Sequence, residues 1–168
     1  MNITLELLSL DNSLDIYRFE VENRAYFESE LPSRGDDYYI PQNYNQIIQG
    51  IIDEQSRGEC YMYAIRNEAG KVVGRVNLTS VQKGEAELGY RIGKGHSGKG
   101  IAGKAVQMAL YFAKSNHNLQ KIIAGTSTEN VPSQKVLEKN GFVFIDKVEK
   151  YMELNGKWID NLNYSKIL

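Results

Sequence analysis

The groups best suited to chemistry are concentrated in the run Gly93-Lys94-Gly95-His96-Ser97-Gly98-Lys99-Gly100-Ile101-Ala102. Its glycines let backbone N–H groups turn toward a common centre without Cβ clashes. An alternating segment, Ala86 to Ile92, leads into the run, and a helical pattern, Ile101 to Lys114, leaves it. A strand, a glycine turn and a helix start together form an anion site, usually for phosphate, because the helix dipole adds positive charge there. Lys94, Lys99 and Lys104 add local positive charge.

Three readings of the turn compete. Gly93 to Lys99 has P-loop spacing, but Gly100 stands where that motif needs Ser or Thr for Mg²⁺. Gly93, Gly95 and Gly98 fit the dinucleotide fingerprint, which expects an acidic residue about 20 positions on. The chain there reads Asn116-His117-Asn118. Each nucleotide pattern therefore lacks its confirming partner. The third reading draws on the whole second half of the chain.

The elements that must position the turn are legible in order. Residues 2–8 read as a strand and 11–25 as a helix. The aromatic stretch 26–39 reads as a loop, because Pro32 and Gly35 argue against regular structure. Ile47, Ile48, Ile51 and Ile52 mark a helix from Asn43 or Tyr44 to Gln55. Strands follow at 60–66, 71–81 and 85–92. In the last, Ala86, Leu88, Tyr90 and Ile92 alternate with Glu85, Glu87, Gly89 and Arg91, so Glu87 and Arg91 share the open face. The next helix can begin at Ser97, whose hydroxyl suits a cap.

Lys121 to Gly125 is apolar without alternation, as expected of a strand covered on both faces. Strand, helix and strand make a crossover unit, so this strand should run parallel to 85–92. Asn130 as cap, Pro132 in the first turn and Gly141 at the end bound a helix of about nine residues. Two closing strands, 142–153 and 158–167, meet at the hairpin signal Asn155-Gly156.

At 168 residues, 42% hydrophobic and 24% charged, the chain reads as one globular domain spanning 1–168. A net charge of −1 gives no general reason to expect nucleic acid or a membrane surface as partner. No segment reaches the about 18 apolar residues of a membrane helix, and the N-terminus lacks signal-peptide features. The single Cys60 forms no internal disulfide and reads as a buried thiol, which points to a reducing, cytoplasmic setting. His96 and His117 are too isolated for a metal site, and His117 reads as a favourable charge near a helix end.

Gly89-Tyr90-Arg91-Ile92-Gly93, Ser97-Gly98-Lys99-Gly100-Ile101-Ala102, Asn130 to Ser133 and Lys139-Asn140-Gly141-Phe142 together resemble the GNAT N-acetyltransferase superfamily. Within it the chain looks like the RimJ/RimL branch, which acetylates ribosomal-protein N-termini. One departure stands out: Ser97 sits where the family turn carries Gln or Arg, which removes a side-chain contact while leaving the backbone cradle.

The resemblance implies an α/β (α+β) GNAT fold, with a mixed seven-stranded sheet splayed at two central parallel strands and about four helices on both faces. It implies acetyl-CoA as cosubstrate, no metal, and room for a homodimer. By resemblance, Arg91, Ile92 and Gly93 pair with the pantetheine amides through backbone. Ser97, Gly98, Lys99, Gly100, Ile101 and Ala102 wrap the pyrophosphate, and Asn130 contacts the cofactor. Glu87 is the candidate base, directly or through water, and Ser133 the candidate hydroxyl near the departing thiolate. Asn77 is a further candidate for the acceptor cleft, and Arg91 offers a side chain to phosphate or an acidic substrate. The expected acceptor is a protein or peptide α-amine. A small amine such as a polyamine, amino acid or aminoglycoside is the alternative, with Glu28, Glu30, Asp36 and Asp37 as an acidic cleft. A non-catalytic CoA-binding module is the reading from a different class.

Overall fold

A computed structural model describes all 168 residues, Met1 to Leu168. Its seven strands are β1 (Ile3–Leu7), β2 (Tyr61–Asn67), β3 (Val72–Gln82), β4 (Glu85–Ile92), β5 (Lys121–Ser127), β6 (Val143–Leu154) and β7 (Lys157–Ile167). They form one sheet in the order β1-β2-β3-β4-β5-β7-β6. Every neighbouring pair is antiparallel except β4 and β5. The helices are α1 (Ser13–Glu22), α2 (Arg24–Glu30), α3 (Pro41–Ser56), α4 (Ile101–Ser115) and α5 (Val131–Lys139).

Each face of the sheet has its own core. On one, Ile101, Ala105, Val106, Ala109 and Ala113 of α4 and Leu137 of α5 pack on Val76, Leu78, Ala86, Leu88 and Ile122. Alanines at four-residue spacing let α4 lie close to the strands while Val106 fills between them. On the other face, Ile16 and Phe19 of α1, Phe27 of α2, and Tyr44 and Ile48 of α3 cover Met62, Ala64 and Val72. Each such buried side chain contributes about 1.5–3 kcal/mol of transfer free energy. The sheet is thus held between two independent apolar layers, and chemistry must occur where they part.

The parting point lies between β4 and β5. Their register runs from Glu85 opposite Lys121 to Leu88 opposite Ala124 and stops there. Beyond it, β4 continues to Ile92 and β5 to Ser127 without pairing to each other, so the sheet opens into a fork.

Two departures from the sequence-based expectation concern the first half. The single helix expected over 11–25 is two, broken at Asn23. Asn23 leaves helical geometry because its side chain is used on both sides. Its Nδ2 donates to the Phe19 carbonyl at 2.9 Å, and its Oδ1 accepts from Lys94 N at 3.0 Å. The stretch 26–39 is mostly regular: α2 runs to Glu30, and a 3₁₀ turn covers Asp36–Tyr39. The Arg24–Glu28 pair at 2.9 Å and buried Phe27 outweigh the breakers, which confine irregular backbone to the segment around Pro32 and Gly35. The sheet thus carries five helices, with α1 and α2 standing where one helix was expected.

At the other end the hairpin forms as expected, with Asn155 and Gly156 both at positive φ. β6 is an edge strand that exposes Val143, Phe144, Ile145 and Tyr151. β7 occupies the interior position between β5 and β6.

Candidate active site

At the first unpaired position of the fork, both strands carry glycine. A Cβ on Gly89 meets nothing within 4 Å, whereas one on Gly125 meets Asn161 Nδ2 at 3.0 Å. The floor beside β4 is thus open slot, and β5 forms the tighter wall. Backbone polarity along β4 follows from one hydrogen bond, Gly93 N to Val73 O at 2.9 Å. Successive residues of a strand direct their backbone groups to opposite sides. Odd-numbered positions of β4 therefore bond to β3, and Tyr90 and Ile92 turn their N–H and C=O groups into the fork. The residues expected to pair through backbone are Arg91, Ile92 and Gly93. Of those three only Ile92 offers backbone to the slot, and Tyr90 joins it. The Gly93 carbonyl is also occupied, by His96 N at 2.9 Å and Ser97 Oγ at 3.3 Å.

The glycine turn closes the outer mouth. After a short 3₁₀ turn at Lys94–His96, Gly98 and Gly100 adopt φ of 76° and 77°, and Gly100 is the cap of α4. Helix α4 therefore begins at Ile101 rather than at Ser97. Ser97 instead braces the turn, bonding back to Gly93 and lying 3.3 Å from the Tyr26 hydroxyl. The consequence is a run of seven N–H groups, Ser97 to Gly103, that donate to no protein acceptor. Three or more convergent N–H donors at a helix start bind anions without needing a cationic side chain. Lys99 folds its Nζ onto the Gly95 carbonyl at 2.8 Å, and Lys104 reaches the Met1 carbonyl at 2.8 Å.

Across the fork, Asn130 caps α5 by accepting from Ser133 N at 3.1 Å. The Ser133 hydroxyl oxygen accepts from the Tyr90 hydroxyl at 3.0 Å. Two consequences follow from that bond. It bridges β4 and α5 over the slot, and it leaves the Ser133 proton free to be donated elsewhere. Burial raises the Tyr90 phenol above its ordinary range, with the Ser133 bond opposing, so Tyr90 remains a protonated donor near neutral pH.

The opposite face of β4 carries Glu87, Gly89 and Arg91. Glu87 is exposed, opposite Thr79 and Ile123, and makes no hydrogen bond or ion pair with protein. Arg91 shares that face but is half-buried, its guanidinium 5.1 Å from the centre of the Phe27 ring. Asn77, across from Gly89, has a buried Oδ1 without a partner. Deeper in, the Glu20 carboxylate is fully buried beneath Arg75, Arg34 and Arg91. The carboxylates expected to form an acidic cleft are partly spent. Arg24 pairs with Glu28 at 2.9 Å and with Asp36 at 2.5 Å.

The structure thus places Ile92, the 97–102 turn, Asn130 and Ser133 beyond the last β4–β5 pair, with Glu87 just before it on the strand face it shares with Arg91. Sequence reasoning missed Tyr90, hidden by its place among the apolar alternators, and the Glu20–Arg34–Arg75 group. Arg75 did carry a signal: a charged residue inside Val72-Val73-Gly74-Arg75-Val76 must find a buried partner. His117 also differs from expectation. Burial lowers its pKa, its Nε2 lies 2.6 Å from the Tyr63 hydroxyl, and its ring stacks on Tyr61. It is a neutral packing group rather than a helix-end charge.

A forked sheet with an amide-lined turn at its mouth has counterparts among known proteins. The profile of the Acetyltransferase (GNAT) domain matches residues 4–143, and the chain belongs to this acetyltransferase family. Among particular relatives, the probable N-acetyltransferase YjcK of Bacillus subtilis is 30% identical, over 94% of this chain and 87% of that protein. The ribosomal-protein-S5-alanine acetyltransferase of Vibrio fischeri superposes with a TM-score of 0.92 at 23% identity, covering 99% of this chain and 93% of the other. The spermidine N-acetyltransferase of Vibrio cholerae, in complex with CoA and spermine, superposes with a TM-score of 0.81 at 20% identity, over 98% and 95%. The chain is an N-acetyltransferase of the GNAT type, with RimJ and RimL enzymes among its structural neighbours.

Proposed function

We propose that the chain transfers the acetyl group of acetyl-CoA to a primary amine, and that the amine is the α-amino terminus of a protein or peptide. The observation that carries the donor half is the run of seven unengaged N–H groups at the mouth of the β4–β5 fork. Such a run matches a pyrophosphate in charge and in acceptor number. Behind it, the backbone of Tyr90 and Ile92 supplies strand-like pairing for the pantetheine amides. Asn130 contributes its free amide hydrogens at the start of α5.

The chemistry needs three groups. The amine attacks the thioester carbonyl carbon, and its proton passes to Glu87 directly or through one water. The tetrahedral intermediate collapses with cleavage of the C–S bond. The departing thiolate takes a hydrogen bond or proton from Ser133, whose oxygen stays bonded to the Tyr90 hydroxyl. No covalent enzyme intermediate is required, and no metal takes part in this scheme.

An α-amine suits this site better than a lysine because its pKa is near 8 rather than 10.4, so a lone exposed carboxylate suffices as base. The likeness to the Vibrio fischeri S5-alanine enzyme supports the same choice. The pairing of Glu28 and Asp36 with Arg24 weakens the polyamine alternative. The test is release of free CoA thiol from acetyl-CoA in the presence of peptides beginning Ala or Ser, polyamines and aminoglycosides. Release driven by peptides supports the reading. Release driven by polyamines alone replaces the acceptor, and tight acetyl-CoA binding without any amine-dependent release removes the enzyme scheme for these acceptors.

A further inference from the structure

Three arginines converge on one carboxylate beside the acceptor slot. Glu20 on α1 is 0% exposed, and its Oε1 accepts from Arg75 Nη1 at 2.5 Å. Its Oε2 has no hydrogen-bond partner, with Arg34 Nη1 at 3.5 Å and Arg91 Nη1 at 3.8 Å. The Nε of Arg75 is buried and also unpartnered. One negative charge is therefore shared by three positive ones, and the surplus is desolvated. Three phenols surround the cluster: the Tyr38 hydroxyl accepts from Arg34 Nη1 at 2.5 Å, and burial raises Tyr39 and Tyr44 above the ordinary phenol range; Asp37 lies on the rim with Arg34.

Arg91 is the member that can act outward. Its side chain is 19% exposed, forms no hydrogen bond, and is held in place by the Phe27 ring. Burial first, then repulsion from Arg34, pushes its guanidinium below the ordinary value, as expected of a cation short of counter-charge. A purely structural cluster would use as many carboxylates as its packing requires. This one leaves the Arg91 donors without a hydrogen bond, on the strand face that Arg91 shares with Gly89 and Glu87.

Resting on the reading that an amine is acetylated at the fork, we propose that Arg91, backed by Arg34 and Arg75, recognises a carboxylate carried by the acceptor close to its reacting amine. Along β4, Gly89 and Arg91 are two residues apart, about 6.6 Å. An extended peptide covers that distance in about two residues. The carboxylate is therefore the side chain of an Asp or Glu at the second or third position of the peptide. The α-carboxylate of a small amino acid offers the same chemistry at shorter reach. A polyamine would place positive charge against uncompensated guanidinium groups.

The experiment uses the full chain with acetyl-CoA and matched acceptors. Ser-led hexapeptides with Asp or Glu at the second or at the third position are compared with their Asn and Gln counterparts, and alanine with alaninamide. The expected result is a preference of at least tenfold in kcat/KM for the acidic member of a pair, which falls toward one in Arg91→Gln. The peptide pairs and the alanine pair identify which carboxylate source is used. The same preference is read without turnover, from the affinity of the N-acetylated peptides for the protein–CoA complex. Arg34→Gln, at a more exposed position, is the second variant should Arg91→Gln fail to fold, and it should also shrink the ratio. Equal affinity and equal kcat/KM for acidic and amide partners overturn this proposal even if acetyl transfer is robust. A binding preference without transfer to any amine overturns the function while leaving the carboxylate site standing.

Discussion

Glu87 and Ser133 stand on opposite faces of the fork, so the two proton movements they would serve are testable separately. An amine of pKa near 8 is mostly protonated below that pH and needs a base, whereas above it the free amine attacks unaided. Glu87→Gln should therefore lower turnover by about 10²-fold at pH 6.5, and the deficit should shrink as pH passes 9. A pH–rate profile displaced downward by the same factor at every pH would remove Glu87 from that role. Ser133→Ala should slow acetyl transfer tenfold or more while changing acetyl-CoA affinity little, because the proposed scheme uses Ser133 at the sulfur and the N–H turn at the phosphates. Tyr90→Phe should give a smaller loss in the same direction, since it removes only the bond that orients Ser133. Equal losses in binding and rate for both variants would make the pair a strut rather than a proton path. The different visibility of these residues in the sequence has a physical cause. Glu87 and Ser133 lie in local patterns, a strand alternation and a helix start, that a sequence displays. Tyr90 acts through a contact with a residue 43 positions away, and nothing local reports it.

At the scale of the elements, β4 does two jobs by alternation. Its even-numbered residues bury side chains in one core and turn their backbone into the fork once β5 has parted. Its odd-numbered residues bond to β3 and carry Glu87, Gly89 and Arg91 on the open face. Gly89 is the position where these jobs meet, and open space surrounds its missing Cβ. Gly89→Val should accordingly leave the thermal midpoint unchanged or slightly raised, since valine favours a strand. It should also cut kcat/KM at least tenfold by filling the slot. A variant that loses stability instead would mean the floor is packed rather than open. The extents of β4, α4 and α5 were legible because glycine, proline and asparagine punctuate them. The first half was less so. Pro32 and Gly35 suggested a longer loop than exists, because the helix before them is fixed by Phe27 and by an Arg24–Glu28 pair whose worth depends on tertiary docking. The break at Asn23 was invisible for the same reason: its cause is the amide of Lys94, in a different part of the chain.

For the whole molecule, Glu20 ties α1 to β3, β4 and the segment before the 3₁₀ turn on one face of the sheet. Removing that carboxylate leaves buried guanidinium groups facing one another. Glu20→Gln should destabilise the fold by about 3–5 kcal/mol, read as a lower urea midpoint with an unchanged slope. A change under 1 kcal/mol would show that water already compensates the cluster. The strand order carries a further implication, for synthesis. β5 forms one arm of the fork, yet its outer edge is covered by β7, which begins roughly thirty residues later in sequence. At about 5–20 residues per second, a ribosome needs about two to six seconds to make that interval. A nascent chain emerged as far as Gly141 already contains the anion turn, both arms of the fork, Glu87 and Ser133. It still has a bare edge on β5 open to any passing strand. The hairpin at Asn155-Gly156, closed by a two-residue turn, keeps that interval short, because β6 and β7 can pair with each other and arrive together.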